Sequence, residues 1–132
     1  MSFLLDTDTC SACLRDVTGV TNRLVQYAGR LYISALTLGE LFTWVKRRHV
    51  SVKRLESLRE LIDGVTVLSV DTHIAERLGT IRAVLLDVPR PTPTIDLFIA
   101  ATALEYDLTL VTHNLRDFEH IPDLRLEDWL AD

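Results

Sequence analysis

Apolar residues along the chain fall into two patterns, short continuous runs and longer stretches with helical spacing. FLL at 3–5 stops at Asp6 and predicts a buried strand with polar groups at its carboxyl end. LYIS at Leu31–Ser34, the β-branched stretch 65–70 and residues 108–111 predict three more strands, and 124–126 a short edge strand. From Leu36 the period changes: Leu38, Leu41, Phe42 and Val45 share a helical face that runs into the basic Lys46, Arg47, Arg48 and His49. Ser51 is placed to cap a following helix carrying Leu55, Leu58, Leu61 and Ile62, which Gly64 ends. Asp71 is placed to cap a long helix through Ile74, Leu78, Ile81 and Leu85. Short helices are expected over 9–16, closed by Gly19, and over 22–28, closed by Gly29. DVPRPTP at 87–93 holds three prolines and predicts an irregular loop. Thr94 then opens an apolar helix over 95–106, and Leu115–Phe118 suits one helical turn.

Strands alternating with helices predict an α/β protein, a three-layer α/β/α arrangement around a mostly parallel sheet of four to five strands. No repeat, linker or low-complexity tract interrupts the 132 residues, so 1–132 is expected to be a single domain. A chain this long buries roughly two thirds of its unfolded surface and needs no staples. With 48% apolar and 25% charged residues it is not of the disordered class. No apolar run approaches the roughly 18 residues of a membrane span, and MSFLLDTDT lacks the basic start of a signal peptide. A cytoplasmic location follows as the expectation, with no membrane partner. The only cysteines, Cys10 and Cys13, are too few for a disulfide framework.

Ligands of open parallel sheets sit beyond the carboxyl ends of the strands, which draws attention to the acids placed there. Asp6 and Asp8 follow the first strand, Glu40 lies early in the helix after the second, and Asp117 follows the fourth in THNLRD. Asp96 opens the apolar helix after the proline loop. Each has a plain structural reading: Asp96 complements the helix dipole, worth about 0.3–1 kcal/mol, and Glu40 completes a Thr37-x-x-Glu40 capping box. Against this, Ile95, Leu97, Phe98 and Ile99 surround Asp96, and a carboxylate there needs a cation, donors or a proton. Carboxylates gathered without basic partners call for a divalent cation, and oxygen-only ligands favour Mg2+ or Mn2+ over zinc. Such an ion activates water and stabilises charge growing on a phosphate, so phosphoester hydrolysis is the expected chemistry.

FLLDTDT, SALTLGELFTW, PTIDLFIAATAL and LTLVTHNLRDFEHIPDLRLEDWL resemble the PIN-domain nucleases, and more narrowly the VapC toxins of bacterial VapBC toxin–antitoxin pairs. The resemblance runs nearly end to end. It implies a PIN fold and a Mg2+- or Mn2+-dependent endoribonuclease that cuts RNA by in-line attack of water, leaving 5′-phosphate and 3′-hydroxyl ends. Matched motif by motif, it makes Asp6, Glu40, Asp96 and Asp117 the catalytic acids, with Asp6 and Asp96 the direct metal ligands. Thr112 and Asn114 match residues that hydrogen-bond to the carboxylates. Asp8 stands where relatives carry Asn or Ser and is expected to cap the first helix, a place at the metal site being the alternative. The loop RPTPT replaces a stretch that is often glycine-bearing in relatives. A VapB-like antitoxin, arrested translation, a homodimer, and promoter DNA reached only through the antitoxin are also implied.

Competing readings carry less. LLDTDT also resembles the Asp-x-Asp opening of haloacid-dehalogenase-like phosphatases, but Lys46 and Lys53 are the only lysines downstream. Cys10-x-x-Cys13 has redox spacing, while free cysteines more often pack as small hydrophobes. A PIN-like module that binds without cleaving would have no need of all four acids. His49, His73, His113 and His120 read as surface or packing, with His113 next to the proposed site.

The net charge of −5 argues at first against an RNA partner. Its distribution changes that picture. Residues 46–59 hold six Lys and Arg against Glu56 alone, while 105–132 hold eight acids against Arg116 and Arg125. Lys46, Arg47, Arg48, Arg82 and Arg90 are therefore candidate contacts for RNA or antitoxin. Trp44 and Phe42 read as packing or partner contacts, not as RNA stacking platforms.

Overall fold

The computed structural model describes residues 1–47, 52–87, 89 and 92–131. Arg48, His49, Ser51 and Arg90 lie outside the described residues. Five short strands, β1 (Phe3–Leu5), β2 (Leu31–Ser34), β3 (Thr66–Leu68), β4 (Thr109–Val111) and β5 (Leu126–Glu127), pair in the order β3-β2-β1-β4-β5. Every pairing is parallel, Phe3 lying opposite Leu31 on one side and Thr109 on the other. Seven helices connect the strands among the described residues: α1 (Thr7–Leu14), α2 (Thr18–Gln26), α3 (Ala35–Lys46), α4 (Val52–Asp63), α5 (Thr72–Leu85), α6 (Thr94–Glu105) and α7 (Leu115–Phe118).

Strand side chains alternate between the two faces of a sheet, and the core divides accordingly. Phe3, Leu5, Leu31, Ile33 and Val111 pack with α1–α4, for example against Cys10, Leu41 and Leu58. Leu4 and Leu110 pack on the opposite face with Ile74, Leu78, Leu97, Ala101 and Phe118 of α5–α7. The result is the expected three layers. Phe3, Leu4 and Leu5 are all fully buried, so a slip of one residue would exchange the two faces of the central strand. The C-terminal segment closes the first face: Trp129 is 4% exposed and its ring lies 5.2 Å from Phe3 and 5.8 Å from Tyr27.

Asp71 caps α5 as the sequence suggests, accepting from the Ile74 N–H at 2.9 Å. The first two helices differ from the sequence expectation. α1 begins at Thr7, two residues earlier, because Asp6 ends the strand and caps the helix in one step. Gly19 does not close α1; it sits in the first turn of α2, and the left-handed residue between the helices is Asp16, at φ 57°. Aspartate tolerates that conformation better than most side chains. Gly29, at φ 86°, does supply the turn after α2.

Candidate active site

In the observed strand order the chain moves from β1 outward to β2 and β3, then returns to place β4 on the other side of β1. The carboxyl ends of β1 and β4 therefore form the switch point at which an open parallel sheet makes a crevice. Asp6 and Thr112 are the residues that emerge there.

Asp6 is 8% exposed, and its Oδ1 accepts from the Thr9 N–H at 2.8 Å. The fully buried Thr112 hydroxyl also hydrogen-bonds the Asp6 carboxylate, and Thr112 Oγ1 accepts from the Asn114 N–H at 3.0 Å. Burial pushes the Asp6 carboxyl above its usual range, the bonds from Thr112 and Thr9 oppose this, and Asp8 adds to the rise. Burial wins. An acid kept this dry gains by meeting a cation.

Asp8 is not the cap of α1, since Asp6 takes that role. Asp8 is exposed, and its Oδ2 instead accepts from Asn114 Nδ2 at 3.0 Å, joining residues 106 apart in sequence. Nor does Thr37 form a capping box with Glu40. Ser34 caps α3, accepting from the Leu36 N–H at 3.1 Å, while Thr37 is fully buried with its hydroxyl unpartnered. Glu40 Oε1 is held from another element, accepting from the Thr7 hydroxyl at 2.7 Å. Sequence reasoning missed Thr7, because no local pattern links α1 to α3.

Asp96 stands in the first turn of α6, half-buried. Asp117 lies in α7, its N–H bonded to the Asn114 carbonyl at 3.1 Å. The Asp96 carboxyl is pushed up to about 6, first by burial and then by the charges of Asp117, Glu40, Asp6 and Asp8. Five acids from four segments, the start of α1, α3, α6 and α7, thus bring their negative charge to one place. The cluster is joined electrostatically but not closed: among the described residues, no three His, Cys, Asp or Glu side chains stand ready to hold a metal ion. The donor set is all oxygen, with the amide and hydroxyls of Asn114, Thr112 and Thr7 as neighbours, and that chemistry fits a hard divalent cation.

Of the basic candidates, Lys46, Arg47 and Arg82 are among the described residues. Arg47 follows Glu40 by seven residues and shares its helical face, whereas Lys46 is rotated by about 120° and its Nζ lies 5.6 Å over the Phe42 ring. Arg82 donates to the Thr94 hydroxyl at 3.0 Å, which places its guanidinium beside the start of the Asp96 helix. His113 and His120 are tethers, to Asp128 at 3.0 Å and to the Thr92 hydroxyl at 2.7 Å. Cys10 is fully buried and Cys13 partly so, both as free thiols.

The sequence profile of the PIN domain matches residues 3–124. The tRNA(fMet)-specific endonuclease VapC of Salmonella typhimurium is 35% identical over 130 residues, 98% of each chain. Ribonuclease VapC2 of Haemophilus influenzae is 28% identical, covering 98% of this chain and 99% of its own. Among solved structures, DNA-bound VapBC from Salmonella typhimurium matches with a TM-score of 0.90 at 35% identity, covering 98% of both chains. VapBC2 of Rickettsia felis, bound to a fragment of promoter DNA, matches with a TM-score of 0.89 at 26% identity over 98% of this chain and 99% of that one. These matches leave no place for a phosphatase of the haloacid-dehalogenase type, and relatives named as ribonucleases argue against a module that only binds. The chain belongs to the PIN-domain family and, within it, to the VapC ribonucleases.

Proposed function

We propose that this chain is the toxin of a VapBC-type pair, an endoribonuclease that arrests translation until a VapB-like antitoxin binds it. What supports the reading is the electrostatic coupling of Asp6, Glu40 and Asp117 to Asp96, whose carboxyl is pushed up to about 6 by burial and by their charges. PIN-domain nucleases work with a divalent metal. Here we assign Mg2+, with Mn2+ as a substitute, held by Asp6 and Asp96. When bound, the cation supplies charge neutralisation at the scissile phosphate and a more acidic water. Glu40 and Asp117 complete the site by orienting the attacking water and accepting its proton. Thr112 fixes the Asp6 carboxylate and Asn114 holds Asp8, so neither acid has to be reorganised when substrate arrives.

Attack in line on the phosphodiester leaves a 5′-phosphate and a 3′-hydroxyl. Residues 1–132 act in this reading as one PIN domain, as a homodimer in the cytoplasm, and meet promoter DNA only through the antitoxin. Among the described residues no helix is long and apolar enough to cross a membrane. Because a 35% identical relative is named for cutting tRNA(fMet), an initiator tRNA belongs in any substrate panel. The test is incubation of that panel with the protein in Mg2+ or in EDTA, with the ends of the fragments identified. Cleavage in Mg2+ alone, with 5′-phosphate ends, is expected. Cleavage that survives EDTA would remove the metal mechanism.

A further inference from the structure

On α3, Thr37, Leu41 and Val45 point inward, at most 4% exposed. Trp44, seven residues after Thr37, lies at the edge of that stripe, about 40° of arc from Glu40, and Arg47 is the C-cap that ends the helix. Trp44 stands one turn beyond Glu40, about 6 Å further along the axis, and is 37% exposed. That exposure departs from the packing role its sequence context suggests and agrees with the other role suggested there, a partner contact. The guanidinium of Arg54, from α4, lies 5.0 Å from the centre of the Trp44 ring. The aromatic residues classed as exposed among the described ones are Trp44 and Tyr106, and Tyr106 donates its hydroxyl to Asp71, at the end of α6 away from Asp96.

An indole one turn from a catalytic carboxylate, backed by one arginine and followed by another, has the features of a single-stranded nucleic-acid subsite. Stacking holds the base whatever its identity, the arginine against the ring polarises it, and the exposed Arg47 is free of the core to meet a phosphate. The core of a protein interface is depleted of charged residues. Around Trp44 the described exposed neighbours one turn away are the charged Glu40 and Arg47 instead. An apolar cavity of about 520 Å3, lined by Leu14, Leu24, Val25, Leu61 and Val65, lies elsewhere, against α1, α2 and α4. Resting on the ribonuclease reading above, we propose that Trp44 is a stacking platform for an unpaired base of the RNA next to the cleaved phosphate, with Arg54 backing the ring and Arg47 contacting an adjoining phosphate.

The chain itself supplies the probe. Its two tryptophans are Trp44 and the buried Trp129, so a change in indole emission on adding RNA reports Trp44. A short unstructured RNA, titrated into the wild-type protein in EDTA and into Asp96→Asn in Mg2+, is expected to quench that emission saturably. Trp44→Ala is expected to raise KM for RNA cleavage about 5- to 150-fold, the equivalent of about 1–3 kcal/mol per stacked base, with kcat nearly unchanged. Trp44→Phe should recover most of the loss, and neither variant should shift the thermal midpoint appreciably. RNA that binds by anisotropy without altering the emission would overturn the proposal, as would a Trp44→Ala variant with unchanged KM. Quenching by a cognate antitoxin but not by RNA would overturn it too, giving the ring to the protein partner. Cleavage with a silent Trp44 removes this subsite alone. A protein that neither binds nor cuts RNA removes the ribonuclease reading along with it.

Discussion

The Thr7 hydroxyl donates to Glu40 Oε1 at 2.7 Å, tying the first turn of α1 to the middle of α3 across 33 residues of sequence. Glu40 is exposed, and an exposed glutamate otherwise samples several rotamers. The bond selects one of them, so Thr7 acts as a positioning residue for the acid. Thr7→Val is expected to lower kcat by roughly 10- to 100-fold, the usual loss when a group supporting an active-site ligand is removed. Thr7→Ser, which keeps the hydroxyl, should restore most of the rate. Steady-state cleavage assays on the two variants check this, and equal rates for Val and Ser would remove the role.

Thr112 is the second such link, buried between Asp6 and the Asn114 N–H. Thr112→Val keeps the shape and leaves the Asn114 amide and the buried Asp6 carboxylate each short of one partner. A loss of about 1–3 kcal/mol in stability is expected for an unsatisfied buried group, together with a further rise of the Asp6 carboxyl. Denaturant unfolding in EDTA measures the first. Unchanged stability would mean that the hydroxyl is not needed where it sits.

Asp96 sets a pH dependence whose sign differs from that of an ordinary salt-bridged acid. Its carboxyl titrates at about 6 in the folded metal-free protein against a usual value of 3.8, so the folded state binds the proton more tightly than the unfolded one. Its contribution to stability is complete below about pH 4 and is lost as pH rises through 6. Asp6, also raised, acts in the same direction. Thermal unfolding in EDTA should show Asp96→Asn gaining on wild type between pH 4 and 7, and excess Mg2+ should close the gap by stabilising only the wild type. A constant difference across that range would contradict the shared charge at Asp96.

Neither cysteine is poised for chemistry. Burial drives the Cys10 thiol well above its usual range, and burial with the nearby Asp16 raises Cys13 to about 11. At pH 8 both should resist iodoacetamide in the folded protein and react once it is unfolded, as followed by mass spectrometry. Ribonuclease activity should survive the treatment. Rapid labelling of the native protein would reopen the redox reading of Cys10-x-x-Cys13.

Much of this was legible in the chain, for local reasons. β1, β2 and α7 occupy the residues their local patterns suggest, and Asp6 stands directly at the end of β1, where an apolar run gives way to a polar residue. What was not legible depends on contacts between distant segments. Asp6 serves as strand end, helix cap and buried acid at once, so no loop separates β1 from α1 and Asp8 is released to meet Asn114. Turns were placed at glycines, whereas Asp16, Asp107 and Asp123 take the left-handed conformation, at φ 57°, 54° and 65°. Thr7 and Glu40 lie on different helices, and only the packing of α1 against α3 makes them partners.

The most direct test of the four-acid site is the single-turnover rate of RNA cleavage at saturating Mg2+ for the wild type, Asp6→Asn and Asp96→Asn, each shown to be folded by circular dichroism. Both substitutions keep the size of the side chain and remove one negative charge from the proposed cation site. The account predicts a fall of at least about 100-fold in each, the upper end of what losing a mere supporting partner costs. A folded Asp6→Asn or Asp96→Asn protein that cuts RNA at the wild-type rate would contradict it.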